Sequence, residues 1–508
     1  MSRSLIAPGW FVSVLVTAAA ATCPVAPLAA DGLPLVDAVK QTNAAAVRTL
    51  LDRRVDVNAA EADGTTALHW AVHRQDAGTL ELLISAGANV KAANRYGVTP
   101  LALAAEGSDA SIVDRLLEAG ADANTVVADG QTVLMAAART GNVSAIKALL
   151  AHGADVRAKE RWRGQTALMW AAADGNVAAA RLLVEAGSDL NSRSTGGFTP
   201  LLFAVRGGHI ETTEALAAAG GNVNDALPDG TSALVLAVMN AHYQLALRLV
   251  EAGADPNAAQ QGWTALHQLA WTRRPNRGFA NPGPVPTGRL SSLALVTELV
   301  ARGANVNARE TKEPKDGYRN LLARAGATPF LLAAKSADVD LMRALVANGA
   351  DPLLATDDHT TPLMAAAGVG IWAVGESPGT NDEAFEAVKV ALELGGDVRA
   401  VNDFGYTALH GAAHRGATAV VQLLAERSAK LDAALTKSGG GGVGWKAGWT
   451  PLAIADGLFY ANTFKRYPET AALLRRLMQE RGLPVPPPSQ TSAAANDPGA
   501  STGAKDQN

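Results

Sequence analysis

The 508-residue chain reads as an all-α repeat solenoid, a curved rod of about twelve stacked helix pairs. Two recurring segments and their common period predict this. The first is centred on glycine (LISAGA, LLEAGA, LLAHGA, LVEAGS, LAAAGG and their kin), with Gly87, Gly120, Gly153, Gly187, Gly220, Gly253, Gly303, Gly349 and Gly395 at its centre. The second lies upstream and reads TTALH, VTPLA, QTALM, FTPLL or YTALH. The glycines step by 33, 33, 34, 33 and 33 residues, then by 50, 46 and 46. A shared period of this size means one supersecondary unit repeated, each copy burying its apolar face only against the next. Composition agrees: 48% hydrophobic and 18% charged residues suit a packed core and not a disordered chain.

Residues 1–30 precede the repeats. Arg3 is the one charge before an apolar run from Trp10 to Ala21, and Pro24, Pro27 and the small pair Ala29-Ala30 follow. A basic start, a short apolar run and a small-residue exit predict a secretory signal peptide cleaved after Ala30, with Ala29 as the alternative. The expected location is therefore the periplasm or the exterior. A spanning helix needs about 20 apolar residues, so no integral membrane span is expected. Cys23 is the sole cysteine, and Thr22 before it suits a lipobox poorly, so lipidation is not expected. One cysteine also excludes a disulfide framework and a four-cysteine zinc site.

Within a unit, each step has a local cause. Thr66, Thr99, Thr132, Thr166, Thr199, Thr264, Thr328, Thr361, Thr407 and Thr450 each precede an apolar run, where a hydroxyl can accept a backbone N–H as N-cap. Pro100, Pro200, Pro329, Pro362 and Pro451 follow at N1, where the missing N–H costs nothing. The spacing predicts an Ala-rich first helix of about nine residues, a Gly-Asn or Gly-His turn, and an amphipathic second helix such as VSAIKALLAHG. The recurring glycine is the expected C′ residue, with positive φ. Asp63-Gly64, Asp129-Gly130 and Asp229-Gly230 mark a tight turn before the next unit.

The T-P-L-H-x-A-A core, the 33-residue step and the following L-L-x-x-G-A-D-V-N make this unit resemble the ankyrin repeat. The resemblance covers roughly residues 33–480 and frames a solenoid at 31–482. Its units start near Leu33, Asp63, Tyr96, Asp129, Arg163, Gly196, Asp229, Gly262, Gly326, Asp358, Phe404 and Gly448. It implies β-hairpin-like fingers, and His69, His267 and His410 bonding to backbone between repeats. The end units depart from the pattern: Arg54 replaces the first glycine, and the last second helix reads ETAALLRRLMQERGL. Polar, degenerate ends are what a stack needs as caps. Residues 483–508, rich in Pro, Ser and Ala, are expected to form a disordered tail.

No residue pattern supplies a chemical step. His69/His73 and His410/His414 are i, i+4 pairs, but Trp70 and Gly411 stand where a zinc-protease helix needs Glu. A G-x-G-x-x-G match inside Ser438–Gly444 follows no predicted strand and reads as a loop. Carboxylates are spread along the repeats, so no acid pair stands out. No catalytic residue, metal or cofactor is assigned. A formal net charge of −4 disfavours nucleic acid. The expected function is non-catalytic binding of another protein. A metal or small-molecule sensor using His73 or His414, and a structural rod without a specific partner, are the alternatives.

Two features suggest where a partner sits. The position after the A-A pair varies freely (His73, Glu106, Arg139, Arg206, Met239, Trp271, Lys335, His414), and the resemblance places it on the concave face. Fingertip residues Arg95, Tyr96, Trp162, Arg163, Gln261, Trp263, Phe404 and Tyr406 would form the rest of that groove, while Trp70, Trp170 and Phe203 read as packing. The second feature is four insertions, near 272–291, 311–325, 370–381 and 437–447. The first carries Arg273, Arg274, Arg277 and Arg289 with four prolines and no acid, and the third carries Trp372. The first and third fall in the same helix-to-helix turn two units apart, so both are expected to project from one edge. Arg and Trp are the residues of interface hot spots. The expected contacts are Trp271, Arg273, Arg274, Arg277, Lys335, Trp372 and His414.

Overall fold

The structure, a computed structural model, describes residues 33–107, 110–127, 130–275, 283–313, 321–371, 377–438, 446–460 and 463–487. The signal-like segment with Cys23, Arg277, Trp372, the glycine run and residues 488–508 lie outside the described residues. Two compact units divide the chain, one ending at Asn89 and the other starting at Val90.

The first unit contains α1 (Pro34–Lys40), α2 (Ala44–Asp52), α3 (Ala67–His73) and α4 (Ala77–Ser85). Asn43 and Asp76 cap α2 and α4 by accepting the N–H of Ala46 and Thr79. Arg54, in place of glycine, adopts the same left-handed turn with φ 58°. Trp70 is clasped: its indole N–H donates to Glu61 at 2.6 Å, and the Lys40 ammonium lies 4.6 Å from its ring.

The second unit continues with α5 (Pro100–Glu106) and α6 (Ala110–Glu118), α7 (Val133–Thr140) and α8 (Val143–Ala151), and α9 (Ala167–Ala173) and α10 (Val177–Glu185). Next come α11 (Pro200–Gly207) and α12 (Ile210–Ala218), α13 (Ala233–Met239) and α14 (Tyr243–Glu251), and α15 (Ala265–Arg273) and α16 (Ser292–Ala301). The last pairs are α17 (Pro329–Lys335) and α18 (Val339–Ala347), α19 (Pro362–Ala367) and α20 (Asn381–Glu393), α21 (Ala408–Arg415) and α22 (Thr418–Glu426), and α23 (Pro451–Asp456) and α24 (Pro468–Glu480). First helices stack on first helices and second helices on second helices, giving two layers. One continuous core runs from Leu201 on α11 to Met478 on α24.

Two features depart from the sequence reading. A short antiparallel pair, β1 (Leu458–Tyr460) and β2 (Thr463–Lys465), lies between α23 and α24, so the fold is helical but not free of strands. The ordered chain also runs past 482: Leu483 and Val485 pack against the core, five residues into the expected tail. Fingers show isolated bridges at Val126–Thr132 and Ala226–Ser232.

The first helices are shorter than expected: α5, α9, α13 and α17 have seven residues each. A helix that short leaves most of its backbone polar groups without intrahelical partners. Three kinds of side chain satisfy them. Threonines cap the start, as Thr199 accepts the N–H of Leu202 and Thr328 that of Leu331. At the other end, the N-cap residues of four second helices, α8, α10, α12 and α14, reach back to the preceding unit. Asn142 donates to the carbonyl of Gly107 (2.6 Å), Asn176 to Arg139 (2.7 Å), His209 to Ala173 (2.9 Å) and His242 to Arg206 (3.1 Å). A third link clamps the loops. Asn224 donates to the carbonyl of Gly253 and accepts the N–H of Asp255, and Asn257 and Asn307 do the same across the next two junctions. Gly253 turns there with φ 98°.

Two of the motif histidines link units as the resemblance implied. Thr264 N–H donates to His267 Nδ1, which leaves Nε2–H to donate to the carbonyl of Ala327 in the next unit at 3.0 Å. His410 likewise accepts from Thr407 and donates to Trp449. Burial pushes both rings down to about 4.

Two predictions follow from this packing. Thr166→Ala removes a buried cap to Met169 and should cost about 1 kcal/mol. Leu183→Ala, at a fully buried position, should cost about 2–5 kcal/mol. Equal, negligible shifts in urea unfolding would contradict the register. The histidines set a pH dependence. Above pH 6.5 the rings are neutral in both folded and unfolded chains. Between about 6.5 and about 4 the unfolded chain takes up protons that the folded chain refuses, so stability falls with pH. Each ring contributes up to about 1.4 kcal/mol per pH unit in that window. Unfolding measured at pH 7 and pH 5 should show a shallower loss in His267→Gln than in the unsubstituted chain.

Candidate protein-binding surface

The described ends of the second and third insertions turn onto the second unit's own helices. Residues 321–325 lie against the first-helix layer. The Arg324 guanidinium stacks 3.5 Å from the Trp271 ring centre and pairs with Glu310 through two bonds, Nη2–Oε1 at 2.7 Å and Nε–Oε2 at 2.9 Å. Both side chains are almost fully buried. Burial pushes the Glu310 carboxyl up to about 8, against the downward pull of Arg324. Breaking such a pair from one side strands a buried charge, at a cost of about 3–5 kcal/mol. Leu321 N–H then donates to the carbonyl of Gly370 at 3.1 Å, which joins the second insertion to the third.

The first insertion is braced in the other layer. Asp338, 1% exposed, caps α18 and receives Arg273 through two bonds of 2.7 and 3.0 Å. Arg274 lies 3.0 Å from Glu383, in the first turn of α20. The first insertion is therefore joined by an ion pair, across the intervening unit, to the helix that follows the third. Beside it lies a groove of about 420 Å³ lined in part by Asp340, Asp382, Glu386 and Arg343.

These contacts place the expected site residues. Trp271 is half-buried under Arg324, and Arg273 and Arg274 hold neighbouring helices. Lys335 is half-buried and its charge acts on Glu310. His414 is only 4% exposed. Segment 368–371 packs over α21, where a Cβ on Gly411 would stand 2.5 Å from Val369 N, so only glycine fits without a shift. Arg415, 1% exposed, donates to the carbonyls of Gly379 and Thr380. The structure thus joins Trp271, Arg273 and Arg274 to partners within the chain, and it does not gather the expected residues into one open patch. Arg277 and Trp372 fall outside the described residues. No cluster of three or more His, Cys, Asp or Glu is placed to hold a metal ion among the described residues. No described helix is long and apolar enough to cross a membrane.

The regular units are different. There the position after the A-A pair stays accessible: Glu106 and Met239 are exposed, and Arg139 and Arg206 are half-buried. Arg139 reaches back one unit to Glu106 at 2.9 Å. Burial raises the Asp174 carboxyl, which Arg139 and His209 partly offset. Trp170 is half-buried and its indole N–H has no partner, while Phe203 is packed. At the fingertips Tyr96 is 56% exposed and Trp162 79%. Two fingertip features were not legible in the sequence. Glu160 turns its carboxylate inward onto the backbone N–H groups of Trp162, Arg163 and Gln165 (2.6, 2.6 and 3.0 Å), fixing that finger. Arg206 stacks 4.9 Å from both Phe198 and Phe203.

A family model for ankyrin repeats (3 copies) matches residues 35–126, 107–194 and 189–260, and the model for a single ankyrin repeat matches 325–358 and 404–434. The chain belongs to the ankyrin-repeat family, whose repeats serve generally as protein–protein interaction modules. The matches leave out three helix pairs, α15–α16, α19–α20 and α23–α24. Those are the pairs whose two helices are separated by a long connection. No match is found among curated proteins.

Proposed function

We propose that this chain is a non-catalytic scaffold that holds another protein against the first-helix face and fingertips of its regular repeats, in a compartment reached by export. The observation that carries this reading is the contrast along one position. After the A-A pair, Glu106 and Met239 are exposed and Arg139 and Arg206 are partly so, whereas His414 is buried and Trp271 lies under Arg324. A surface filled by the chain's own insertions has little left to offer a partner. On this reading Trp271, Arg273 and Arg274 shape the C-terminal repeats, and contact with the partner falls on units three to seven. Export rests on the signal-like composition of residues 1–30.

The test uses a photo-reactive amino acid placed at Met239, on the first-helix face, or at Arg289, exposed on the first insertion. After irradiation in extract of the native compartment, the position 239 protein should form one defined adduct and the position 289 protein none. Adducts from position 289 alone, or from both alike, would place the partner on the insertion edge.

A further inference from the structure

One stretch of the first-helix face and its fingertips holds arginines that pair with no carboxylate among the described residues. Arg163 comes from the finger before α9, and Arg206 comes from α11 in the next unit. Burial first, and then the charge of Arg163, lowers the Arg206 guanidinium below its ordinary value. Arg161 stands on the same finger and is exposed. The acids nearby are committed elsewhere. Glu160 spends both carboxylate oxygens on backbone N–H groups. Asp225 pairs with Arg193 and accepts the Thr199 hydroxyl. Asp174 is drawn to Arg139 and His209. Among the described residues no carboxylate pairs with Arg161, Arg163 or Arg206.

These groups are also pre-positioned. The finger backbone is pinned by Glu160 from below and by Thr195 N–H, which donates to the carbonyl of Arg163 at 2.8 Å. Arg206 rests against two adjacent rings, so its guanidinium loses little freedom on meeting a carboxylate. Trp162 offers an open indole on the same finger, with Arg163 5.9 Å from its ring. An exposed Trp beside fixed arginines has the composition of a binding hot spot.

We propose that the Trp162–Arg163 finger and the ring-stacked Arg206 form a receptor for an acidic segment of a partner protein. An incoming carboxylate relieves the repulsion between the two arginines and forms charge-assisted bonds with them. A polynucleotide fits less well. Three arginines around one finger give few phosphate contacts, whereas a polynucleotide surface spreads Lys and Arg along a stripe. This proposal rests on the reading of the first-helix face as the binding surface.

The test titrates the full chain with a labelled 16-residue peptide of Asp and Glu with one Tyr, a Lys peptide of equal length, and a labelled oligothymidine. The acidic peptide should bind, weaken as salt rises, and lose affinity about tenfold in Arg163→Ala and in Arg206→Ala. Trp162→Ala should also weaken it, and Arg206→Lys should fall between Arg206→Ala and the unsubstituted chain. All three side chains are at least partly exposed, so unfolding curves should match that of the unsubstituted chain. Equal binding of acidic and basic peptides, no effect of either alanine variant, or binding of oligothymidine alone would overturn the proposal. Cross-linking at position 239 with no response to the acidic peptide would remove this proposal alone. Loss of that cross-link would remove the reading beneath it.

Discussion

A seven-residue helix makes very few of its own hydrogen bonds. Its first N–H groups and last carbonyls have no intrahelical partners, and in a stacked array those ends are buried or half-buried between neighbours. The polar ends therefore have to be satisfied by the adjoining unit, and much of the chain is explained by how that is done. Threonine closes one end. In the regular repeats the Asn or His that caps α8, α10, α12 or α14 closes the end of the first helix one unit earlier. The loop asparagines Asn224, Asn257 and Asn307 join successive glycine turns. Stacking of apolar faces supplies the bulk of the stability, while these bonds fix the register between neighbours.

The same constraint explains the insertions. Asp338 occupies the position where Asn142, Asn176, His209 and His242 each donate to a carbonyl of the preceding unit. A carboxylate cannot donate. The preceding first helix instead ends in Arg273, which donates to Asp338, so the link survives with its polarity reversed. Arg274 adds the carbonyl of Ser336 and reaches on to Glu383, and Arg415 takes the carbonyls of Gly379 and Thr380. Arginines in the C-terminal repeats do the work that Asn and His do in the regular ones. Residues 321–325 and 368–371 then lie over the first helices and leave the accessible face to the earlier repeats.

Where a residue acts within its own unit, the sequence was enough. The threonine caps, the N1 prolines and the glycine turns stand where the period put them, and a second-helix leucine such as Leu183 is fully buried. First-helix length was overestimated because the last turn is replaced by bonds from the neighbour, as at Ala173 and His209. The fate of Trp271 depends on Arg324, far along the chain and beyond an insertion of irregular length, so no periodic argument could reach it. Arg273 was within reach. An acid at a position otherwise held by Asn or His signals a missing donor, and a nearby arginine is the natural supply. The Arg206 stack and the Glu160 turn combine residues from finger and helix, and composition alone reads them as surface charge.

The reversed link between α15 and α18 is the sharpest place to test whether inter-unit polar bonds fix this fold. Urea unfolding of three proteins decides it: Arg273→Ala, Asp338→Asn, and the two together. The first leaves a buried carboxylate with only Arg274, 3.9 Å away, as counter-charge and should cost up to about 3–5 kcal/mol. The second strands the arginine and should also destabilise. The pair together restores the pattern of the regular repeats, an amide cap facing carbonyls, and should recover most of the loss. A double variant as unstable as the sum of its parts would show that the link is incidental and that apolar stacking alone sets the register.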